Sequence, residues 1–282
     1  MQKVMWSPVG EFALETVAAA RLQAHYAVQV VAGVGRALLP QADDDSHTSL
    51  SWDDTHGAFV GQPLLDGRRA GLRVADLTLL LLSPDGSQVT QTLDKLTLDD
   101  AAAWFATALG ADPAAIRAIP YNLPSHALVH GAGFDPGRHA RALAALSAWY
   151  RVAEEALAAL TAAFERNLDA VSPIRTWPHH FDHACLFYPT AARGEAAASV
   201  GSGLSPGDDT YSEPYLYVSP WPYPSSGALA ALPAGHWHTA GFTAAVLPAT
   251  TIAGSGNARN VIADFLQAGL TASLQALSDE TR

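Results

Sequence analysis

The stretch Leu77-Thr78-Leu79-Leu80-Leu81-Leu82-Ser83-Pro84-Asp85-Gly86-Ser87-Gln88-Val89-Thr90-Gln91-Thr92 decides the fold class. Two extended runs, Arg73 to Leu82 and Gln88 to Leu93, flank a Ser-Pro-Asp-Gly turn. Proline presets the turn backbone, and glycine takes the positive φ that other residues resist, so the chain doubles back as a hairpin. A hairpin makes its sheet antiparallel. Shorter extended segments at Thr48 to Trp52 and Ala58 to Val60 precede it, and an antiparallel sheet is expected in the first half.

Helical periodicity surrounds these strands. Phe12, Val17, Ala20, Ala24, Val28 and Val31 form one stripe, whose end Gly33 and Gly35 weaken. Thr97 and Asp100 have the spacing of a capping box, and Ala101, Trp104, Phe105, Ala108 and Leu109 follow before Gly110. Asp135-Pro136 opens a longer helix whose seam runs Leu143, Leu146, Tyr150, Ala153, Leu157, Leu160 and Phe164, expected to be the central one. A last helix buries Val261, Ile262, Phe265, Leu266, Leu270 and Leu274. Strands are expected at Ile174 to Tyr188, Tyr215 to Ser219 and Thr239 to Leu247. The expected class is α+β, a mainly antiparallel sheet packed with about four long helices. Residues 1–282 are read as a single compact unit, with pseudo-repeat halves 9–110 and 135–282 joined by a proline-containing connection, 111–134.

Composition narrows the function classes. Of 282 residues nearly half are apolar, enough for a sizeable core. Lys and Arg total 16 against 27 Asp and Glu, a net charge of -11, and no basic run exceeds Arg68-Arg69. Nucleic acid and anionic membrane surfaces both require clustered positive charge, so neither is an expected partner. Met1 to Gly10 lacks the pattern of an export signal, and no apolar stretch is long enough to span a bilayer. Cys185, the single cysteine, excludes internal disulfides and thiolate metal cages, and a reducing cytoplasm is the expected location.

The densest chemistry is Trp177-Pro178-His179-His180-Phe181-Asp182-His183. On one continuous strand His180 and Asp182 would share a face, with His179 and His183 opposite. His180 as base or ligand and Asp182 as its orienter are the candidate catalytic pair. His179, Trp177, Tyr215, Tyr217, His236 and His238 are the candidate ligand-binding residues. If a metal were bound, His180, Asp182, His236 and His238 would hold it, but packed, hydrogen-bonded histidines are the favoured reading. The His-Glu-x-x-His spacing of zinc hydrolases is missing, as is any nucleotide-cofactor motif, and Ser205, Ser219 and Cys185 lack a nucleophile elbow. The aromatic run Tyr211 to Pro224 suits the wall of a site for a flat ligand, though a packed strand explains it as simply.

The second half resembles an uncharacterised, mainly bacterial domain family of unknown function. The resemblance rests on Ile119-Pro120 with Pro124, Ser172-Pro173-Ile174 through Asp182-His183-Ala184, and Ser205-Pro206-Gly207-Asp208. It extends over Glu213-Pro214-Tyr215-Leu216-Tyr217, then His236-Trp237-His238 leading to Ala245-Val246-Leu247-Pro248, and Phe265-Leu266-Gln267. His183 and Gly254-Ser255-Gly256 depart from the family pattern. The resemblance implies a shared whole-chain fold and no activity. The resulting expectation is a small-molecule-binding protein with a His, Asp and aromatic pocket in its second half. The alternatives are a metal-dependent or histidine-based enzyme using that pocket, and a structural or homo-oligomeric module.

Overall fold

The structure, a computed structural model, describes residues 14–280 apart from 113, 118, 120, 122, 165–169, 195 and 196. Met1 to Gly10, Phe12 and Pro120 therefore lie outside the described residues. In chain order the elements are α1 (Leu14–Leu38), β1 (Leu50–Asp53), β2 (Ala58–Gly61), β3 (Arg69–Arg73), β4 (Thr78–Leu82) and β5 (Gln88–Thr92). There follow α2 (Leu98–Leu109), α3 (Pro136–Phe164), β6 (Ala170–Val171), β7 (Arg175–Trp177), β8 (Asp182–Tyr188) and β9 (Ser199–Ser205). The chain closes with β10 (Tyr215–Trp221), β11 (His236–His238), β12 (Ala244–Pro248), α4 (Ala249–Ala253) and α5 (Ala258–Glu280). The class is α+β, as expected, with α1, α2, α3 and α5 as the long helices.

The chain divides into two compact units. Among the described residues the first holds 14–151 and 175–181, and the second holds 152–174 and 182–280. In the first unit β1 pairs with both β7 and β2, and β2 to β5 continue as a meander, all antiparallel. The Pro84-Gly86 turn closes β4 onto β5 as expected, with the Ser83 amide donating to the Ser87 carbonyl at 2.8 Å and Gly86 at φ 83. The strand expected from Arg73 to Leu82 is instead two strands, turned over residues 74–77. Leu77 takes a left-handed φ of 48 there and is fully buried. Burying a leucine gains about 1.5–3 kcal/mol, enough to offset that backbone cost.

α1 is buried at every residue from Gln23 to Gly35, whereas α3 alternates buried and exposed positions, so the deeply buried helix of the first unit is α1. Gly33 and Gly35, read as weakening the helix end, lie within α1, which runs on to Leu38. A Cβ on Gly33 would stand 2.2 Å from the Arg117 carbonyl oxygen, and one on Gly35 would stand 2.3 Å from that of His47. These glycines let irregular backbone lie directly on the helix.

The continuous strand expected from Ile174 to Tyr188 is broken by a turn over residues 178–181, which overturns the shared-face reading of His180 and Asp182. Phe181 has φ 60, a costly conformation for a bulky side chain. The turn is held from below within the first unit. The Pro178 carbonyl accepts hydrogen bonds from His25 Nε2 at 2.8 Å and from Gln29 Nε2, and Tyr150 Oη donates to the Phe181 carbonyl at 2.6 Å. The Phe181 ring is buried, stacked on His25 at 5.2 Å and edge-on to Phe59 at 5.8 Å.

In the second unit the antiparallel order is β6, β8, β9, β10, β12, β11. α5 packs on β9 and β10. Gly269 lets it approach, because a Cβ there would meet Val218 Cγ2 at 3.1 Å.

Burial pushes the His25 pKa down from 6.5 to about 4, with Arg21, His180 and His179 lowering it further and the Pro178 carbonyl opposing. Between those two values the unfolded chain binds the extra proton, so stability contributed by neutral His25 is present above 6.5 and is lost as pH falls toward about 4. The full loss is on the order of 3 kcal/mol. Urea denaturation of the wild type and His25→Gln across that window should show the wild-type advantage shrinking as pH falls. A pH-independent difference would refute this assignment.

Candidate functional site

The site residues come together on one face of the second unit's sheet. Directly opposed residues of antiparallel strands share a face, and the register aligns Ala184 with Gly203, Gly203 with Tyr217, Tyr217 with Val246, and Val246 with His236. Asp182, Tyr215 and His238 lie two residues along their strands from members of this row, and so on the same face. Leu216 and Val218 point the other way and are fully buried on the α5 side. The alternation along β10 thus fixes where the tyrosines go.

Tyr217 reaches across β9. Its hydroxyl donates to Asp182 Oδ2 at 2.6 Å, which is sterically permitted only because residue 203 is glycine. A Cβ on Gly203 would lie 2.9 Å from Tyr217 Oη, 2.6 Å from Ala184 Cβ and 2.7 Å from the His183 carbonyl oxygen. Gly201 is also bare beneath the ring, with Tyr217 Cε2 3.9 Å from where its Cβ would stand. Burial, then the charge of Asp182 and its hydrogen bond, hold the Tyr217 pKa well above the usual phenol value, so its proton stays on and is donated. The other carboxylate oxygen, Asp182 Oδ1, is buried and has no hydrogen-bond partner among the described residues.

A second phenol and carboxylate pair sits beside the first. Tyr215 Oη donates to Asp208 Oδ2 at 2.6 Å, and burial followed by this bond raises the phenol pKa. Asp208 Oδ1 accepts the amides of Thr210 at 2.7 Å and Tyr211 at 2.8 Å, a local turn that swings the Tyr211 ring to 5.0 Å from Tyr215. Tyr215 and Tyr217 are 6.3 Å apart between ring centres, so the three rings form a continuous row.

Tyr211 Oη lies 2.9 Å from His236 Nε2 and 3.0 Å from His238 Nδ1. The Ala240 carbonyl, 2.8 Å from His238 Nε2, requires a proton on that nitrogen. With His238 neutral, its Nδ1 accepts, Tyr211 donates to it, and His236 Nε2–H donates to Tyr211. His238 also stacks on Phe242 at 4.2 Å.

Of the residues anticipated from sequence, Asp182, Tyr215, Tyr217, His236 and His238 share this face. Trp177, His179 and His180 belong to the first unit. There His179 and His180 are exposed on the 178–181 turn, 4.6 Å apart between ring centres, with Tyr121 5.5 Å and Trp177 6.1 Å from His179. Among the described residues no three His, Cys, Asp or Glu side chains are disposed to hold a metal ion. Cys185 lies buried on the α5 side of β8, where burial and then Glu154 push its thiol up to about 12. A thiol so raised is not a nucleophile at neutral pH. His183, on that same side, is fully buried and 2.7 Å from Glu154 Oε2.

Sequence reading took Tyr211 only as the first residue of an aromatic run and Asp208 only as part of a turn, and left Gly203 and Phe242 out of the candidate site. The Asp208-x-x-Tyr211 spacing carried a signal for the first two, since an aspartate commonly accepts from amides two and three residues on. Gly203 carried none, because its role depends on a ring arriving from a neighbouring strand. Comparison of the chain with family models, with curated proteins and with solved structures finds no match.

Gly203→Ala should cost about 1–3 kcal/mol through overpacking against the Ala184 and Tyr217 side chains and the His183 carbonyl. Gly227→Ala, where an added Cβ meets nothing within 4 Å, should change stability little. Urea denaturation of both variants checks this, and equal effects would mean that Gly203 is not a packing constraint.

Proposed function

We propose that the tyrosine face of the second unit binds a small molecule with a compact apolar body and hydrogen-bond donors. The observation that supports it most is Asp182 Oδ1, a buried carboxylate oxygen with no partner, beside a row of three aromatic rings. Leaving a charged acceptor unsatisfied is expensive, of the order of 1–3 kcal/mol or more, and a ligand donor repays it. The hydroxyls of Tyr215 and Tyr217 are committed as donors to Asp208 and Asp182, so what they offer a ligand is oxygen lone pairs and ring faces. A site of that composition orients its ligand through acceptors and holds it by stacking.

The binding reading takes the protein as a reducing-compartment, cytoplasmic one, in keeping with Cys185 as a buried free thiol. Among the described residues no helix is long and apolar enough to cross a membrane.

A fragment library of ring compounds bearing N–H or O–H groups, titrated against isotope-labelled protein and followed by amide chemical shifts, tests the proposal. Saturable shifts should concentrate on Gly201, Gly203, Tyr215, Tyr217, His236 and His238. Shifts confined to other surfaces, or none across the library, would refute it.

A further inference from the structure

We infer that the ligand of the tyrosine face is an organic cation carrying N–H groups, a primary or secondary ammonium on an apolar body. The inference rests on the binding reading above and goes beyond it by fixing the ligand's charge.

Three features favour positive charge. The first is the π surface itself. Tyr211, Tyr215 and Tyr217 form a contiguous row with centroid spacings of 5.0 and 6.3 Å, and ring faces carry a negative quadrupole that attracts cations. The second is the carboxylate pair. Asp182 and Asp208 each accept a hydrogen bond from a phenol at 2.6 Å, and among the described residues neither is bonded to a side-chain cation. A phenol that donates a hydrogen bond brings no positive charge, so the two carboxylates of this row have no side-chain counter-ion among the described residues.

The third is the distribution of charge through the unit. Among its described residues the side-chain cations are Arg193 and Arg259, greatly outnumbered by Asp and Glu. Both are engaged elsewhere. Arg193 stands 4.5 Å over the Tyr188 ring and donates to the carbonyls of Thr190 and Ala192, and Arg259 pairs with Glu155. Among the described residues an anionic ligand would meet no lysine or arginine on this face, only the imidazoles of His236 and His238, and a neutral polyol would leave the two carboxylates unbalanced. An ammonium meets the rings by its charge and Asp182 Oδ1 by a charge-assisted N–H hydrogen bond. A quaternary ammonium would satisfy the rings but leave that oxygen without a donor.

The matched pair phenethylammonium and 2-phenylethanol isolates the charge, since the two differ in the ammonium and hydroxyl groups alone. Titrated by amide chemical shift into the unaltered protein, phenethylammonium should bind at the tyrosine face roughly tenfold or more tightly than the alcohol. Asp182→Asn, its fold checked by its own amide spectrum, should erase most of that preference, while Tyr217→Phe, which keeps the ring, should retain it. If the alcohol binds as tightly as the amine at this face, the cationic assignment falls and the binding reading stands. If phenethylammonium moves no amide of this face, the cationic assignment also falls, and the fragment titration then decides the binding reading separately.

Discussion

The two-sidedness of β10 is the constraint from which the site follows. Leu216 and Val218 are drawn under α5, each gaining about 1.5–3 kcal/mol by leaving water. With a side-chain period of two, that burial leaves Tyr215 and Tyr217 on the opposite face. The tyrosines are therefore positioned by their apolar neighbours rather than by contacts of their own. Gly269 on α5 supports the arrangement by letting the helix come close to Val218.

The opposite face is then organised by space and hydrogen bonding. Gly203 supplies the space, since Tyr217 crosses β9 where a methyl group would collide with it. The phenol and carboxylate bonds supply direction, because each raised phenol pKa keeps a proton for donation and each aspartate receives it. Tyr211 joins the row through the Asp208 turn and links it to His236 and His238. Among the described residues the one buried side-chain polar atom of this face without a partner is Asp182 Oδ1. That unsatisfied acceptor is the observation on which the binding proposal rests.

The first unit uses buried polar groups for a different purpose. His25, Gln29 and Tyr150 spend their hydrogen-bonding capacity on two carbonyls of the 178–181 turn, and the Phe181 ring is buried against His25, Phe59 and Tyr150. Together they hold Phe181 in a left-handed conformation that the residue would not choose. The histidines that dominate the sequence are thus displayed on an anchored turn, while His25, inconspicuous in the sequence, supplies one of its anchors.

The sequence by itself determined the α+β class, the Pro84-Gly86 hairpin, the Thr97 capping box and the start of α3 at Asp135-Pro136. Each is set by residues within a few positions of one another, where local sterics and periodicity suffice. The sequence also pointed to Tyr215, Tyr217, His236 and His238, because alternation along a strand is a local property. The tertiary structure alone decided that Asp182 partners Tyr217 rather than His180, that Gly33 and Gly35 give room for irregular backbone to lie on α1, and that Gly203 underlies an aromatic ring. Those outcomes depend on what a distant strand or loop brings alongside. A turn whose anchors lie about 150 residues away in the chain cannot be read from the seven residues that contain it.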